Sequence, residues 1–148
     1  MEVAVPVVMV SEDATVPRYA HDGDAGCDLV ANEDVLLRPG GGRASVGCGI
    51  AVAIPEGHAG FVLPRSGLAL RHGVTCLNAP GLVDAGFRGE LRVVLVNLDP
   101  DEPFQVRVGD RVAQLVIQRV ERAAFEPVEA LGATARGEGG FGSTGIAS

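Results

Sequence analysis

The chain has 148 residues, 47% of them hydrophobic, and a formal net charge of −7. That length and apolar content suit one domain with a real core. The charge argues against a broad nucleic-acid or anionic-membrane surface, and no apolar run approaches the ~20 residues needed to span a bilayer. All twelve basic residues are arginine, so any basic contact to phosphate comes from a guanidinium, which suits bidentate geometry. Cys27, Cys48 and Cys76 are odd in number and form no CxxC pair. They read as inert buried thiols rather than as a disulfide framework or zinc site. The start, Met1-Glu2-Val3, has no basic n-region, so no signal peptide is expected and the protein is expected to be cytoplasmic.

In chain order, short runs rich in Val, Leu and Ile alternate with Gly and Pro punctuation. Strands are expected over 3–10, with Pro6 marking an edge position, then 34–38, 44–46, 50–54, 60–63, 74–77, 91–98, 104–108, 111–119 and 124–128. Turn signals separate them, among them Arg38-Pro39-Gly40-Gly41-Gly42 and Asp99-Pro100-Asp101. Many short strands at this spacing predict an all-β sandwich or barrel. The one helical piece expected lies at 66–71. From Gly132 the composition turns glycine-rich and cannot bury enough to hold itself in place. The expected organisation is therefore a single domain over 1–131 and a flexible arm over 132–148. That arm is either a disordered tail or one that orders on a ligand.

Asp24-Ala25-Gly26-Cys27-Asp28-Leu29 places two carboxylates four apart, on one side of an extended chain. Such a pair can hold the water shell of Mg²⁺, or can simply be a polar turn before a strand. Pro64-Arg65-Ser66-Gly67-Leu68-Ala69 ends a strand and opens the short helix. Arg65, the Ser66 hydroxyl and the N–H groups near Gly67 make either an anion site or a Ser cap beside a solvated Arg. The stretch Asn78–Glu90 reads as a tight hairpin. Ala85-Gly86 supplies its turn, with Gly86 taking positive φ, and Leu91-Arg92-Val93-Val94 continues outward. It gathers Asn78, the candidate base Asp84, the aromatic Phe87 and the cation Arg88. In Gly109–Ile117, Gln114 interrupts an apolar strand and needs partners if buried. His21, His58 and His72 pair with no Cys, Ser or second His, and no HExxH or GxSxG pattern occurs.

These stretches, with Arg136-Gly137-Glu138-Gly139-Gly140-Phe141-Gly142-Ser143-Thr144-Gly145 at the end, resemble in order and spacing the five motifs of the trimeric deoxyuridine triphosphatases (dUTP nucleotidohydrolases). The resemblance implies a jelly-roll-like β-barrel assembled as a homotrimer, with each active site built from several subunits. It implies that Asn78, Gly81, Leu82 and Val83 serve the nucleoside side, Leu82 and Val83 lining it, with Arg92 a further substrate-binding residue. Phe87 would stack on deoxyribose and exclude a 2′-hydroxyl. Arg65, Ser66, Gly67 and Gln114 would bind phosphates from a neighbouring subunit. Arg136, Phe141, Gly142, Ser143 and Thr144 would close over the nucleotide from a further one. Asp84 would activate the water that attacks the α-phosphorus of dUTP. Mg²⁺ would sit on the triphosphate, held through waters, with Asp28 as the main anchor and Asp24 as a second candidate. The family usually carries Tyr where this chain has Phe87.

Two other readings share parts of this pattern. A deoxycytidine triphosphate deaminase has the same fold and a similar Arg-Ser stretch, but needs a glutamate in the hairpin region, where this chain offers only Glu90 beyond the turn. A non-catalytic nucleotide-binding barrel would have lost Asp84 or the arm, and neither is lost.

Overall fold

The computed structural model describes residues 2–147. Ten strands and one helix follow in order: β1 (Val7–Met9), β2 (Cys27–Val30), β3 (Val35–Leu37), β4 (Gly42–Val52), β5 (His58–Leu63), α1 (Ser66–His72), β6 (Val74–Cys76), β7 (Gly81–Val83), β8 (Glu90–Asn97), β9 (Phe104–Val106) and β10 (Arg111–Arg119). Every ladder is antiparallel. One four-stranded sheet runs β1-β4-β8-β6, a second runs β2-β10-β5-β7, and β3 pairs with β9. This is the expected all-β, jelly-roll-like architecture with one short helix, and Pro6 does lead into an edge strand.

The core lies between the sheets, because each strand turns one face inward with period two. Leu29 and Leu115 come from the second sheet, Val46, Ile50, Val93 and Leu95 from the first, and all belong to one buried cluster. Among the described residues Asn97 is the buried polar one. Its amide donates to the Leu37 carbonyl at 3.2 Å and the Glu102 carbonyl at 2.9 Å, and its oxygen accepts from the Asp99 N–H at 3.0 Å. It ties the end of β8 to β3 and to the following turn. The three cysteines are free and buried, as expected.

Three local expectations are corrected. The runs 44–46 and 50–54 are largely one strand, β4, whose pairing with β8 is interrupted by a register shift between Gly47 and Ala51. No strand forms over 124–128. The ladders end at Arg119, the Val120 N–H reaches the Gly57 carbonyl at 3.0 Å, and beyond it Phe125, Val128 and Leu131 are exposed. The chain thus leaves the barrel about ten residues before its composition changes at Gly132. The third concerns the hairpin. β7 pairs with β5 and β8 with β4 and β6, so 81–97 crosses between sheets instead of folding on itself.

Candidate active site

The turn that makes this crossing is closed by the Phe87 N–H donating to the Asp84 carbonyl at 3.1 Å. Gly86 is not in the left-handed region, and a Cβ on it would meet nothing within 4 Å. The expected positive φ is therefore absent, and the turn needs no glycine for its backbone. Arg88 folds back, its Nη1 donating to the carbonyls of Ala85 at 2.6 Å and Phe87 at 2.8 Å. It stiffens the turn instead of offering free charge.

The Asp84 side chain is left exposed with no partner among the described residues. The Phe87 ring lies on Gly89, where a Cβ would sit 2.8 Å from Cζ and 3.1 Å from Cε2. Gly89 is thus the floor that lets the ring lie flat, and the ring remains 43% exposed. Just before the turn, Gly81 and Val83 point into the core and Leu82 points out. Val83 was expected to line the ligand side with Leu82. Strand alternation buries its side chain, so it can offer only backbone there. The Asn78 amide folds over Gly81, within 3.2 Å of a Cβ built there, and the Ala79–Pro80 peptide is cis.

Arg92 is engaged within the chain. Its guanidinium meets Glu33 at 2.7 Å and Glu90 at 3.0 Å, and its Nε donates to the Ser45 hydroxyl at 2.9 Å. The Glu33 and Glu90 carboxylates also accept from the N–H groups of Gly47 at 2.6 Å and Gly49 at 3.0 Å. This network fastens the register shift of β4 to the root of the turn.

A second group of side chains gathers on the outer face of the other sheet. Asp28 on β2 is the register partner of Gln114 on β10, which in turn pairs with Leu63 on β5. Arg65, one residue past the end of β5 after Pro64, is the N-cap of α1, so Ser66 is the first helical residue and not the expected cap. Arg65 Nε stands 3.5 Å from Asp28 Oδ1, and its Nη1 donates to the Arg111 carbonyl at 3.1 Å. Ser66 and Gly67 are exposed. Gln114 is half-buried beside Gly26, where a Cβ would press within 3.2 Å of its amide oxygen.

Asp24 does not join Asp28. The chain at 21–24 is a turn, with the Asp24 carboxylate accepting from the His21 N–H at 2.8 Å, so the extended geometry expected of 24–28 does not hold. Among the described residues no three His, Cys, Asp or Glu side chains cluster as metal ligands. A directly ligated metal has no cage here. Asp28, with a side chain 16% exposed, fits a contact through water instead.

The two groups lie far apart within one chain. Asp84 follows Val83, which pairs with Gly60, whereas Arg65 lies beyond Leu63. Six residues of extended chain separate the two ends, on the order of 20 Å. The arm joins neither group. Every hydrogen bond described for 132–147 is internal to it, including Arg136 Nε to the Gly139 carbonyl at 2.7 Å, and Phe141 is fully exposed. Sequence reasoning missed Arg111, which reaches Asp28 Oδ2 at 3.4 Å.

The family model described as dUTPase matches residues 12–145. A deoxyuridine 5'-triphosphate nucleotidohydrolase of Thermobifida fusca is 61% identical over 143 residues, covering 97% of this chain and 79% of that protein. One from Cutibacterium acnes is 54% identical over 147 residues, covering 99% and 95%. Among solved structures, a Staphylococcus bacteriophage 80alpha dUTPase with dUpNHpp superposes with a TM-score of 0.87 at 29% identity, covering 97% and 99% of the two chains. A mutant dUTPase of phage phi11, from work on the coordination of a structural Mg(II) ion, gives 0.79 at 27% identity, covering 88% and 100%.

Proposed function

The chain belongs to the dUTPase family and hydrolyses dUTP, and we propose that it does so at a site completed by more than one copy of itself. Uracil lies along the Asn78–Leu82 stretch, where Asn78 and the backbone from Gly81 to Val83 read its edge. The exposed face of Phe87 stacks on deoxyribose and leaves no room for a 2′-hydroxyl. Arg65, the Ser66 hydroxyl, the Gly67 N–H and Gln114 of another copy take the phosphates. Gly67 has ordinary backbone angles and open space around it, which suits close approach of an anion. Arg136, Phe141, Gly142, Ser143 and Thr144 close over the nucleotide from an arm. Arg92, bound up with Glu33 and Glu90, acts by fixing the base of the turn.

Asp84 takes a proton from a water as the water oxygen attacks the α-phosphorus. The bond to the bridging oxygen breaks, pyrophosphate leaves and dUMP remains. Mg²⁺, when bound, would supply charge neutralisation on the triphosphate; Asp28 would hold it through water, while the Asp24 carboxylate is taken up by the His21 N–H of its own turn. A homotrimer is the assembly that supplies the missing neighbours. The exposed Phe125, Val128 and Leu131 and an apolar groove of about 520 Å³ beside β1 are surfaces that such an assembly would cover.

The observation that carries this reading is the turn itself, an exposed carboxylate and an aromatic face lying on Gly89, neither of them taken up by another side chain among the described residues. Glu90 is bonded to Gly49 and Arg92, so the glutamate a deaminase would need at the base ring is committed elsewhere. The test is pyrophosphate release compared across dUTP, dTTP, dCTP and UTP, with Mg²⁺ and with chelator. Turnover confined to dUTP and lost with chelator is expected. Ammonia from dCTP would select the deaminase. Asp84→Asn should lower kcat by about 10²- to 10⁴-fold, and an unchanged kcat would remove Asp84 as the base.

A further inference from the structure

Arg111 sits three residues before Gln114, so strict alternation would turn the two to opposite faces of the sheet. The register of β10 against β2 shifts between Arg111 and Ala113. That irregularity lets Val112 and Ala113 both point into the core, each almost fully buried. Arg111 and Gln114 are thereby left together on the outer face, with Asp28. The Asp28 carboxylate then stands between two guanidiniums, 3.5 Å from Arg65 Nε and 3.4 Å from Arg111 Nη1. Arg65 Nε is buried and has no hydrogen-bond partner, an expensive state for a cationic N–H. The Arg111 carbonyl holds the other arm of the same guanidinium.

We infer that Arg111 is a positioning residue for Arg65, acting through the Asp28 carboxylate the two share. A small movement of Asp28 toward Arg65 closes the open Nε contact and fixes the plane of its guanidinium. Arg111 sets where that carboxylate rests. With Asp28 anchored on both sides, the Arg65 Nη2 edge keeps one direction, and bidentate recognition of a phosphate depends on that direction. Without Arg111 the carboxylate is free to follow solvent, and Arg65 loses its fixed frame while keeping its charge. This rests on the proposed placement of Arg65 on the phosphates, and takes the outer two as the ones it holds.

The test is calorimetric titration of dUpNHpp and of dUMP, with Mg²⁺, into wild type, Arg111→Gln, Arg111→Lys, Arg65→Gln and the Arg65→Gln/Arg111→Gln double variant. The expected result is about a tenfold loss of dUpNHpp affinity in Arg111→Gln, with a smaller loss in Arg111→Lys. Affinity for dUMP, which lacks the outer phosphates, should stay within about twofold. In the double variant the loss should equal that of Arg65→Gln alone, as expected when one residue works through another. Additive losses would mean that Arg111 touches phosphate itself. Parallel losses for dUMP, or no loss at all, would leave it a structural residue. Each of these overturns the proposal. If wild type binds no dUpNHpp, the placement of the phosphates fails and the proposal with it; wild-type binding with additive losses refutes the proposal alone.

Discussion

Gly89→Ala isolates the role of the Phe87 ring. Gly89 has ordinary backbone angles, so alanine adds no conformational strain. What it adds is a methyl group 2.8 Å from Phe87 Cζ and 3.1 Å from Cε2. Carbon atoms in contact rest about 3.5–4.0 Å apart, so the ring must retreat by roughly 1 Å. Phe87 is 43% exposed and can swing into solvent, so the displacement should cost little stability. Its effect should fall on the sugar instead, because a misplacement of about 1 Å can cost about a hundredfold in rate. We expect kcat/KM for dUTP to fall about 10- to 100-fold, the preference for dUTP over UTP to narrow, and the melting temperature to hold within a few degrees. The assays are steady-state pyrophosphate release with both nucleotides and a thermal melt at fixed protein concentration. A kcat/KM within twofold of wild type, or a large melting shift with activity intact, would refute the ring as the sugar platform.

Phe87→Tyr restores only a phenolic hydroxyl to a stacking face already present. It should change kcat/KM by less than about tenfold, and a hundredfold rise would show that the hydroxyl matters more than the face. Asn97→Ala strips partners from the Leu37 and Glu102 carbonyls and the Asp99 N–H and should cost about 2–4 kcal/mol in urea unfolding; a loss below about 1 kcal/mol would mean that water replaces the amide. Burial pushes the Cys48 thiol up to about 12 and Cys76 up to about 11 from 9.0. Folding therefore favours the protonated thiol, and its contribution to stability is complete below pH ~9 and is lost as pH rises toward ~12. Native protein should resist thiol reagents at neutral pH, and Cys48→Ala should flatten the alkaline limb of the stability curve. Asp99, held low by the N–H groups of Glu102 and Asp101, works in the opposite direction. Its contribution is present above pH ~4 and disappears as pH falls through its lowered value, a dependence that Asp99→Asn should remove.

The chemistry of this protein is local in the sequence. Strand alternation, Gly and Pro punctuation and five short motifs were enough to establish an all-β fold, the single short helix and the dUTPase resemblance, because each is a property of a few adjacent residues. Pairing is not local. Nothing in 78–90 says that β7 will bond to β5 while β8 bonds to β4, so the expected hairpin became a bridge between sheets and Val83 went into the core. Asp24 was lost to its own turn through a hydrogen bond to His21. Arg111 was hidden by the register shift, which breaks the period-two rule that sequence reading relies on. Ala124–Val128 has strand composition, but a strand exists only where a partner offers a ladder, and none of the described residues offers one. Tertiary structure also decided that Asp84 and Arg65 stand at opposite ends of β5, since the distance between two motifs depends on how the sheets close and not on their order along the chain.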